Sequence, residues 1–313
     1  MPDWKIIITD GLHENGQAIL REAAEVNDRP GISREELVRI IEAYHAMVVR
    51  SRTRVTLPVF AAARRLKVIG RAGVGVDNID LAAATAHGVT VVNAPLSTSE
   101  AVAEQTLALM FALARSIPRA DAAMKSGLWI KNDLQGIELN GKVLGIIGVG
   151  NIGSAVARRA AALGMTVIGY DALVSPDDIN LRGVEPATLT ELFARAEFIS
   201  LHVPLSPETR GLINGQTLGL MKRGVRLICT ARGGIIDETA LLGGLESGQV
   251  AGAALDVFER EPPGLSALVE HPHVIATPHI SAQTAEAQAR AAVDVASEVL
   301  AALRNVTLRW KIV

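Results

Sequence analysis

The chain has 313 residues, which is enough for about two domains that each bury a hydrophobic core. Its composition (49% apolar, 20% charged, net charge −2) excludes a disordered chain and offers no basic face for nucleic acid or an anionic membrane. No apolar run approaches the roughly 20 residues that span a bilayer, and no signal-peptide core follows Met1. Because the single Cys229 cannot form an internal disulfide, we expect a cytoplasmic protein with a buried structural thiol.

The first third of the chain alternates between strand and helix patterns. Apolar runs predict strands at 5–9, 46–49, 66–69 and 89–92. A helix is predicted over 14–25, and Ser33 with Glu36 forms the capping-box pattern that begins the next helix. This alternation is typical of a parallel sheet covered by helices, so residues 1–97 are predicted to form a first α/β unit.

A second unit is predicted to begin at Ser97. Ser97 and Glu100 repeat the capping-box pattern, which predicts a helix as far as Ser116 that Pro118 ends. That helix is apolar on nearly all sides, so we expect it to be buried between the two units. Further strands are predicted at 143–147, 165–170, 197–202, 225–230, 252–256 and 274–277, and a last helix at 284–304. A crevice between two α/β units is the default place for a ligand.

Residues 142–171 combine an apolar strand, a glycine-rich turn, an alanine-rich helix and a second strand. The turn has the spacing Gly148-x-Gly150-x-x-Gly153, and Gly164 is a stop signal for the helix. Gly148 permits a tight turn, Gly150 lets the backbone approach a pyrophosphate, and Gly153 lets helix and strand pack closely. The free N–H groups and the positive dipole end of the helix attract phosphates. The stretch therefore predicts dinucleotide binding.

Asp171 lies at the end of the second strand of this stretch. Its carboxylate can accept hydrogen bonds from the adenosine ribose hydroxyls and would repel a 2′-phosphate. The predicted cofactor is therefore NAD rather than NADP.

Side chains that follow predicted strands carry the candidate chemistry. Arg232 lies in a glycine-flanked loop, where its planar guanidinium either binds a substrate carboxylate or is an ordinary surface charge. Hydride transfer from a secondary alcohol needs a base for the hydroxyl proton, which a histidine such as His279 can supply near neutral pH. A carboxylate, for which Asp256 and Glu261 are candidates, would fix the imidazole tautomer and stabilise its charged form.

The histidines divide by position. Only His202 and His279 lie just beyond a predicted strand in the second half of the chain. His271 and His273 flank Pro272 in a polar turn, which is typical of solvated loop residues. The other three histidines fall in the first unit without an acidic partner nearby in sequence. Spacing alone thus allows a triad of arginine, acid and histidine but does not establish it.

The motifs, taken in order, resemble the D-isomer-specific 2-hydroxyacid dehydrogenases over essentially the whole chain. Besides the glycine-rich turn, the resemblance rests on residues 49–53, 70–80, 231–237, 254–258, 261–263 and the pair Pro278-His279. It implies an α/β fold of two Rossmann-like, doubly wound parallel-sheet domains with a cleft between them. The NAD-binding domain would be residues 98–284, and residues 1–97 plus 285–313 would form the substrate domain. The resemblance also implies a homodimer formed through the NAD-binding domain.

The same resemblance implies that the protein interconverts a D-2-hydroxy acid and its 2-keto acid with NAD and without a metal ion. By that resemblance Arg232 binds the substrate carboxylate and keto oxygen. His279 is the implied acid/base, and Glu261 pairs with it and keeps it protonated for ketone reduction. Asp256 is expected near the nicotinamide carboxamide.

The resemblance also assigns contact residues. The implied cofactor contacts are Val74, Gly148, Gly150, Asn151, Ile152, Gly153, Asp171, Val203, Thr230, Ala231, Arg232, Asp256, His279 and Ala282. The implied substrate contacts are Arg50, Ser51, Arg52, Gly73, Val74, Gly75, Arg232 and His279. Backbone N–H groups of residues 72–76 would hold the substrate carboxylate, and the loop at 50–52 would meet the distal end of the substrate.

The identity of the acid stays open. Arg50 and Arg52 favour an anionic distal group, so the first expectation is oxidation of D-3-phosphoglycerate to 3-phosphohydroxypyruvate. Glyoxylate, hydroxypyruvate, lactate or a bulkier 2-keto acid are the alternatives. The common family pattern Asn-x-Pro-x-Gly-Asn reads Asn93-Ala-Pro95-Leu-Ser97-Thr98 here, which changes two residues beside the expected substrate site.

A different class of function is an NAD-sensing, corepressor-like binding protein. The presence of Arg232, Glu261 and His279 together disfavours it, because a sensor has no need of an acid/base group. Since the sequence ends at Val313, directly after the last predicted helix, we expect no C-terminal regulatory domain and no feedback control through one.

Overall fold

A computed structural model describes residues 4–313 and divides the chain into two units. The first unit comprises Met1–Ser99 and Ala282–Val313, and the second comprises Glu100–Ser281. In the described residues each unit contains one sheet, and all its strand pairs are parallel. The predicted α/β class is confirmed.

The first unit is built on a sheet with the strand order β2-β1-β3-β4-β5. Its strands are β1 Trp4–Ile8, β2 Ala24–Asp28, β3 Ala46–Val49, β4 Val68–Arg71 and β5 Thr90–Val92. The helices between them are α1 Glu14–Arg21, α2 Arg34–Ile40, α3 Leu57–Ala62 and α4 Leu81–Ala86, with a 3₁₀ turn at Ile41–Ala43.

The sheet of the first unit is buried on both faces. On β1, Ile7 belongs to one apolar cluster, whereas Ile6 and Ile8 belong to the cluster on the opposite face. All three side chains are fully buried. Strands buried on both faces need continuous apolar runs rather than alternating ones, which is why residues 5–9 were recognisable from sequence.

The predicted helix over residues 14–25 is wrong in its second half. Helix α1 ends at Arg21, and residues 24–28 form β2, which pairs along its whole length with β1 from Trp4↔Ala24 to Ile8↔Asp28. Only Ala24 and Val26 give this strand an apolar signal, and two residues cannot distinguish a period of 2 from one of 3.6. Pairing with β1 therefore decides the structure of this segment.

The second unit has the strand order β12-β11-β10-β9-β6-β7-β8. Its strands are β6 Val143–Ile147, β7 Thr166–Tyr170, β8 Glu185–Pro186, β9 Phe198–Leu201, β10 Val225–Cys229, β11 Val250–Leu255 and β12 Val274–Ala276. The helices are α5 Ser99–Arg115, α6 Ile117–Lys125, α7 Asn151–Ala162, α8 Pro176–Leu181, α9 Leu189–Arg195, α10 Gly215–Gly219, α11 Glu238–Glu246 and α12 Ala267–Glu270, and a 3₁₀ turn lies at Lys131–Asp133. The strand order reverses between β6 and β9, and open α/β sheets bind ligands at such a point, beyond the carboxyl ends of the strands.

The start of the second unit departs from the sequence pattern in two details. Helix α5 begins two residues after the predicted Ser97 cap, and Ser97 Oγ donates a hydrogen bond to the Ala94 carbonyl. Pro118 does more than end that helix. Ser116 takes a left-handed conformation (φ 50°), and α6 begins at Ile117 with Pro118 in its first turn, where a missing N–H costs no hydrogen bond.

The last helix, α13 Ala285–Leu303, belongs to the first unit and confirms the predicted helix at 284–304. Thr284 caps it by accepting a hydrogen bond from Ala287 N at 3.2 Å. Its Val295 and Val299 pack so closely on β4 that a Cβ atom at Gly70 would lie 2.5–2.6 Å from their side chains. A glycine at position 70 is therefore what allows α13 to cover this face of the sheet.

Candidate dinucleotide and hydroxyacid site

The glycine turn lies between β6 and α7, at the carboxyl edge of the second sheet. Gly148 has a φ of 94°, and a Cβ there would lie 2.6 Å from the His202 carbonyl oxygen. A Cβ at Gly153 would lie 2.0 Å from the Gly148 oxygen, whereas a Cβ at Gly150 would meet no protein atom within 4 Å. Gly148 and Gly153 thus close the turn, and Gly150 leaves the backbone accessible at the start of α7. This cradle fits a pyrophosphate held by helix N–H groups.

Asp171 links the end of β7 to this turn. Its Oδ2 accepts from Val149 N at 2.8 Å, and its Oδ1 accepts from Leu173 N at 2.8 Å and from Val174 N at 3.2 Å. Since each carboxylate oxygen has two lone pairs, Oδ2 can still accept one hydrogen bond from a ribose hydroxyl. Arg182, which the sequence analysis did not single out, donates to the Val149 carbonyl beside it.

Arg232 follows β10 in a loop that is packed tightly. A Cβ at the next residue, Gly233, would lie 1.8 Å from the Phe258 carbonyl oxygen, so only glycine fits there. Arg232 Nη1 donates to the Ala231 carbonyl at 2.6 Å, and Thr230 Oγ1 lies 3.0 Å from Thr106 Oγ1 on α5. The side chain of Arg232 is half-buried and is held by a rigid backbone.

His279 and Glu261 form the hydrogen-bonded pair that sequence reasoning proposed. His279 Nδ1 lies 2.8 Å from Glu261 Oε2, and Glu261 Oε1 accepts from Phe258 N at 3.2 Å. Burial raises the pKa of Glu261, but the net shift is downward. The pKa is lowered by the hydrogen bond and charge of His279, by the Phe258 N–H and by the charge of Arg232. Glu261 is therefore ionised at neutral pH, and the structure brings the three predicted groups into one electrostatic cluster.

Asp256 organises the loop that carries His279. Its carboxylate is fully buried. Oδ1 accepts hydrogen bonds from Thr277 Oγ1 at 2.5 Å and from Ile280 N at 2.9 Å. Oδ2 accepts from Ser281 N at 2.8 Å and from Ser281 Oγ. Its backbone oxygen accepts from His279 N at 2.9 Å. These donors match the roughly four acceptor positions of a carboxylate. The side-chain hydrogen bonds of Asp256 among the described residues thus go to the loop at 277–281.

The loop around Asp256 holds His279 in an uncommon backbone conformation. His279 has a φ of 53°, in the left-handed region that costs a residue with a side chain of the order of 1–3 kcal/mol. Such a conformation persists only where surrounding contacts determine it, and the hydrogen bonds to Asp256 on both sides of His279 do so. Sequence reasoning had no signal for this, because the donors become neighbours of Asp256 only in the fold.

His202, the other histidine beyond a strand, has a different environment. Its Nε2 lies 2.8 Å from Ser200 Oγ, and its Nδ1 is buried without a hydrogen-bond partner among the described residues. Burial lowers the pKa of His202 to about 4, so the imidazole is neutral at physiological pH. The structure thus gives His279, and not His202, a carboxylate partner.

Cys229 at the end of β10 is the buried thiol that the sequence predicted. Burial, together with the charge of Asp256, raises its pKa to about 11 against the opposing hydrogen bonds and charge of the Arg232 loop. A thiol with so high a pKa is a poor nucleophile at neutral pH.

In the first unit, the loop at 50–53 is held by Asp10, which the sequence analysis missed. Asp10 Oδ2 accepts from Arg50 N at 2.8 Å and from Thr53 N at 3.0 Å. Its Oδ1 lies 3.1 Å from Arg52 Nη2, which also donates to the Thr9 carbonyl at 2.6 Å. The guanidinium of Arg52 is therefore engaged with the fold, whereas Arg50 Nη2 donates to the Gln283 side chain at 3.1 Å.

The loop after β4 holds the other residues assigned to substrate. Gly73 has a φ of 142°, and a Cβ there would lie 1.5 Å from Arg71 Nη1. The Val74 carbonyl accepts from Asn93 Nδ2 at 2.7 Å, and the Gly73 carbonyl accepts from Ala94 N at 3.0 Å. Arg71 and Asn93 therefore fix this loop from both sides.

Comparisons with known proteins identify the family of this chain. Residues 107–281 match the sequence model of the D-isomer specific 2-hydroxyacid dehydrogenase, NAD binding domain, so the chain belongs to the D-isomer-specific 2-hydroxyacid dehydrogenases. The second unit is accordingly a domain that binds a nicotinamide dinucleotide.

Two curated relatives are D-3-phosphoglycerate dehydrogenases. That of Methanocaldococcus jannaschii is 49% identical over 302 residues, which are 96% of this chain and 58% of that protein. That of Rattus norvegicus is 46% identical over 305 residues, which are 97% of this chain and 57% of that protein. The chain thus spans a little over half the length of these relatives.

Solved structures share the fold over their whole length. A glyoxylate reductase from Paecilomyes thermophila has a TM-score of 0.90 at 30% identity and covers 100% of this chain and 99% of its own. D-lactate dehydrogenase from Escherichia coli has a TM-score of 0.86 at 27% identity, and the match covers 99% of this chain and 100% of that chain.

Among residues 4–313, helices of the length and apolar character needed to cross a bilayer are absent.

Proposed function

We propose that the protein is an NAD-dependent oxidoreductase that interconverts a D-2-hydroxy acid and its 2-keto acid. The observation that carries this proposal is the cluster of Arg232, Glu261 and His279 in the unit that also bears the glycine turn. Arg232 follows β10 and His279 follows β12, so both lie beyond carboxyl ends of strands in the sheet whose β6 leads into that turn. Their types match what the reaction needs: a cation for a carboxylate and an acid/base for a hydroxyl proton.

The protein's own residues account for binding and proton transfer. The turn at 148–153 and the start of α7 would hold the pyrophosphate, and Asp171 would accept from the adenosine ribose. When bound, the nicotinamide supplies the hydride acceptor or donor. Arg232 binds the substrate carboxylate through its planar fork, which also fixes the direction in which the reacting carbon faces.

His279 moves the proton through Nε2. Its Nδ1 is occupied by Glu261, so Nε2 is the ring nitrogen that remains for the substrate oxygen. In alcohol oxidation Nε2 accepts the hydroxyl proton, and in ketone reduction it returns a proton to the carbonyl oxygen. The ionised Glu261 fixes the ring and stabilises the imidazolium that carries the proton.

For the substrate, we propose D-3-phosphoglycerate, with 3-phosphohydroxypyruvate as the product. The support is the identity of 46–49% to proteins of that activity and the placement of Arg50 in the loop at 50–53. We assign the first unit, which carries this loop, to substrate binding. The charge of Arg52 is already paired with the Asp10 carboxylate, whereas the Arg50 guanidinium donates to the neutral Gln283 side chain, so Arg50 is the better candidate for the distal phosphate.

A panel of 2-keto acids tests the reaction and the substrate together. Purified protein should consume NADH with 3-phosphohydroxypyruvate at a higher kcat/KM than with glyoxylate, hydroxypyruvate or pyruvate. A higher kcat/KM with glyoxylate would favour the second candidate, which the similarity to a glyoxylate reductase supports. If the protein binds NADH but turns over none of these acids, the enzyme hypothesis is wrong and an NAD-sensing binding protein is favoured.

Replacing Asp171 by asparagine should reduce the preference for NADH over NADPH by about 10- to 100-fold, the value of one hydrogen bond to a charged group. Asparagine keeps one acceptor oxygen for the turn but removes the negative charge that repels a 2′-phosphate. The measurement is kcat/KM with each cofactor at a fixed keto acid. Asp178→Asn, on the exposed start of α8, is the control. If the ratio of kcat/KM with NADH to that with NADPH is unaltered in Asp171→Asn, Asp171 does not bind the adenosine ribose.

Replacing Asp256 by asparagine should lower kcat by up to about 100-fold, because the loop that positions His279 loses acceptor sites and shifts. One unsatisfied buried donor should also cost about 1–3 kcal/mol of unfolding free energy. Asp237→Ala, which removes the cap on Ala240 N at the start of α11, is a control for stability loss alone. The pH profile of kcat should change in Asp256→Asn and stay unchanged in Asp237→Ala; identical profiles would reduce Asp256 to a structural role.

We propose that the second unit pairs with a second copy of the chain. Met124 near the end of α6 and Leu128 and Trp129 just after it are exposed by 58%, 57% and 78%, and a group of exposed large apolar side chains is typical of an association surface. Trp129→Asp should weaken self-association at least about 30-fold, since buried tryptophans are the strongest anchors of interfaces. Sedimentation equilibrium of the wild type and the variant measures the dissociation constant for self-association.

The control is Leu265→Asp, at an 86% exposed site, which should leave that dissociation constant unchanged. A monomeric wild type would refute the pairing.

A further inference from the structure

A surface pocket of about 540 Å³ lies within the first unit and shares no residue with the glycine turn, the His279 cluster or the loop at 50–53. Three arginines line it, Arg29, Arg39 and Arg65, together with a single carboxylate, Glu42. A volume of this size lies in the range of small-molecule sites. Neither the proposed reaction nor the family's motifs use these residues.

The pocket has an excess of positive charge. Arg39 and Arg65 form no ion pair with any residue between 4 and 313, and Arg29 pairs with Glu36 at 3.3 Å. Glu42 lies 3.6 Å from the guanidinium of Arg64, which is outside the lining. Two guanidinium groups are therefore free to bind an anion in a chain whose net charge is −2.

The positive potential extends to the neighbouring His45. Burial is the largest cause that lowers the pKa of His45, and the charges of Arg65, Lys67 and Lys5 lower it further. Of these three cations, Lys5 pairs with Glu25 at 3.1 Å, so the positive charge near His45 that reaches the pocket comes from Arg65.

The arginines that line the pocket come from both edges of the sheet, and the apolar lining residues, called the floor below, come from the segment between them in sequence. Arg29 follows β2 at the carboxyl edge of the sheet, whereas Arg65 precedes β4 at the opposite edge. The floor consists of Ile40, Ala43 and Tyr44. The ring of Tyr44 is buried, and its hydroxyl accepts from Asn27 Nδ2 at 3.2 Å, so this wall is fixed.

We propose that this pocket binds a small organic bisphosphate, with a phosphate at each end of a short carbon chain. Guanidinium groups match phosphate oxygens with paired hydrogen bonds, and an excess of cations requires a ligand with several negative charges. Cations at both edges of the sheet select an elongated anion, and the apolar floor accommodates its carbon chain. The site is independent of the proposed reaction.

Calorimetric titration of the full chain with fructose 1,6-bisphosphate tests the proposal, with NADH saturating so that the dinucleotide site is occupied. We expect saturable binding at one site per chain that weakens when salt is raised from 50 to 150 mM. Arg39→Gln/Arg65→Gln should weaken it at least about tenfold, because charge-assisted hydrogen bonds are lost. Fructose 6-phosphate, which has one phosphate, should also bind at least about tenfold more weakly.

Two single variants locate the site. Arg304→Gln removes an exposed charge of the same unit outside the lining and should leave the affinity unchanged. Arg50→Gln, in the loop assigned to substrate, should also leave it unchanged. The proposal is overturned by absence of binding at 50 mM salt, by equal affinity in the double variant, or by loss of binding in Arg50→Gln. Thermal unfolding of each variant verifies that these exposed substitutions leave the fold intact.

Discussion

Replacing His279 by alanine should lower kcat by about 10²- to 10⁴-fold, the usual contribution of a positioned acid/base. The loss should fall on kcat more than on the affinity for NADH, because the proposed role of His279 is proton transfer at the substrate oxygen. Single-turnover measurement with 3-phosphohydroxypyruvate, or with the best acid of the panel, gives this rate directly.

Two companion variants separate the roles within the pair. Glu261→Gln keeps the shape of the side chain but removes the charge that stabilises the imidazolium, so it should lower kcat less than His279→Ala does. His271→Ala is the matched control and should retain full activity, because this loop histidine has no carboxylate partner within residues 4–313. Turnover in His279→Ala equal to that of His271→Ala would remove His279 from catalysis.

Replacing Arg232 by lysine should lower kcat/KM by about 10- to 100-fold or more. Lysine keeps the charge but loses the planar fork, and each hydrogen bond to a charged partner contributes about 1.5–3 kcal/mol. The effect should be larger on the KM for the keto acid than on that for NADH. Steady-state kinetics with each substrate varied in turn make the distinction.

Arg223→Lys provides the control for this substitution. Arg223 lies in the same unit, is exposed, and donates to the Ser247 carbonyl at 2.8 Å, so its replacement tests for general effects of exchanging arginine. It should leave kcat/KM unchanged. Equal kcat/KM in Arg232→Lys and the wild type would contradict the binding of the carboxylate by Arg232.

Features that depend on local spacing were predictable. The strand, turn and helix at 143–162 follow from an apolar run, three glycines and an alanine-rich segment that lie next to one another in sequence. The same holds for α13, whose long apolar face is sufficient to define a helix. The helix predicted as far as residue 25 was wrong because residues 24–28 form a strand that depends on pairing with β1, which no local pattern indicates.

Within the site, the residue types could be predicted but several of their contacts could not. The choice between His202 and His279 depends on burial and on a carboxylate 18 residues away in sequence. Asp256 accepts hydrogen bonds from the loop at 277–281, and Arg52 pairs with Asp10. Both contacts join residues that are far apart in sequence, so no local pattern predicts them.

The sequence by itself determined the α/β class, the dinucleotide turn and the kinds of group available for chemistry, because each depends on neighbours along the chain. The tertiary structure decided which imidazole has an ionised partner, which guanidinium is engaged with the backbone, and which arginines at the pocket of the first unit have no ion pair in the described part of the chain. Those outcomes depend on desolvation and on hydrogen bonds between distant segments, and both come into existence only when the sheets assemble.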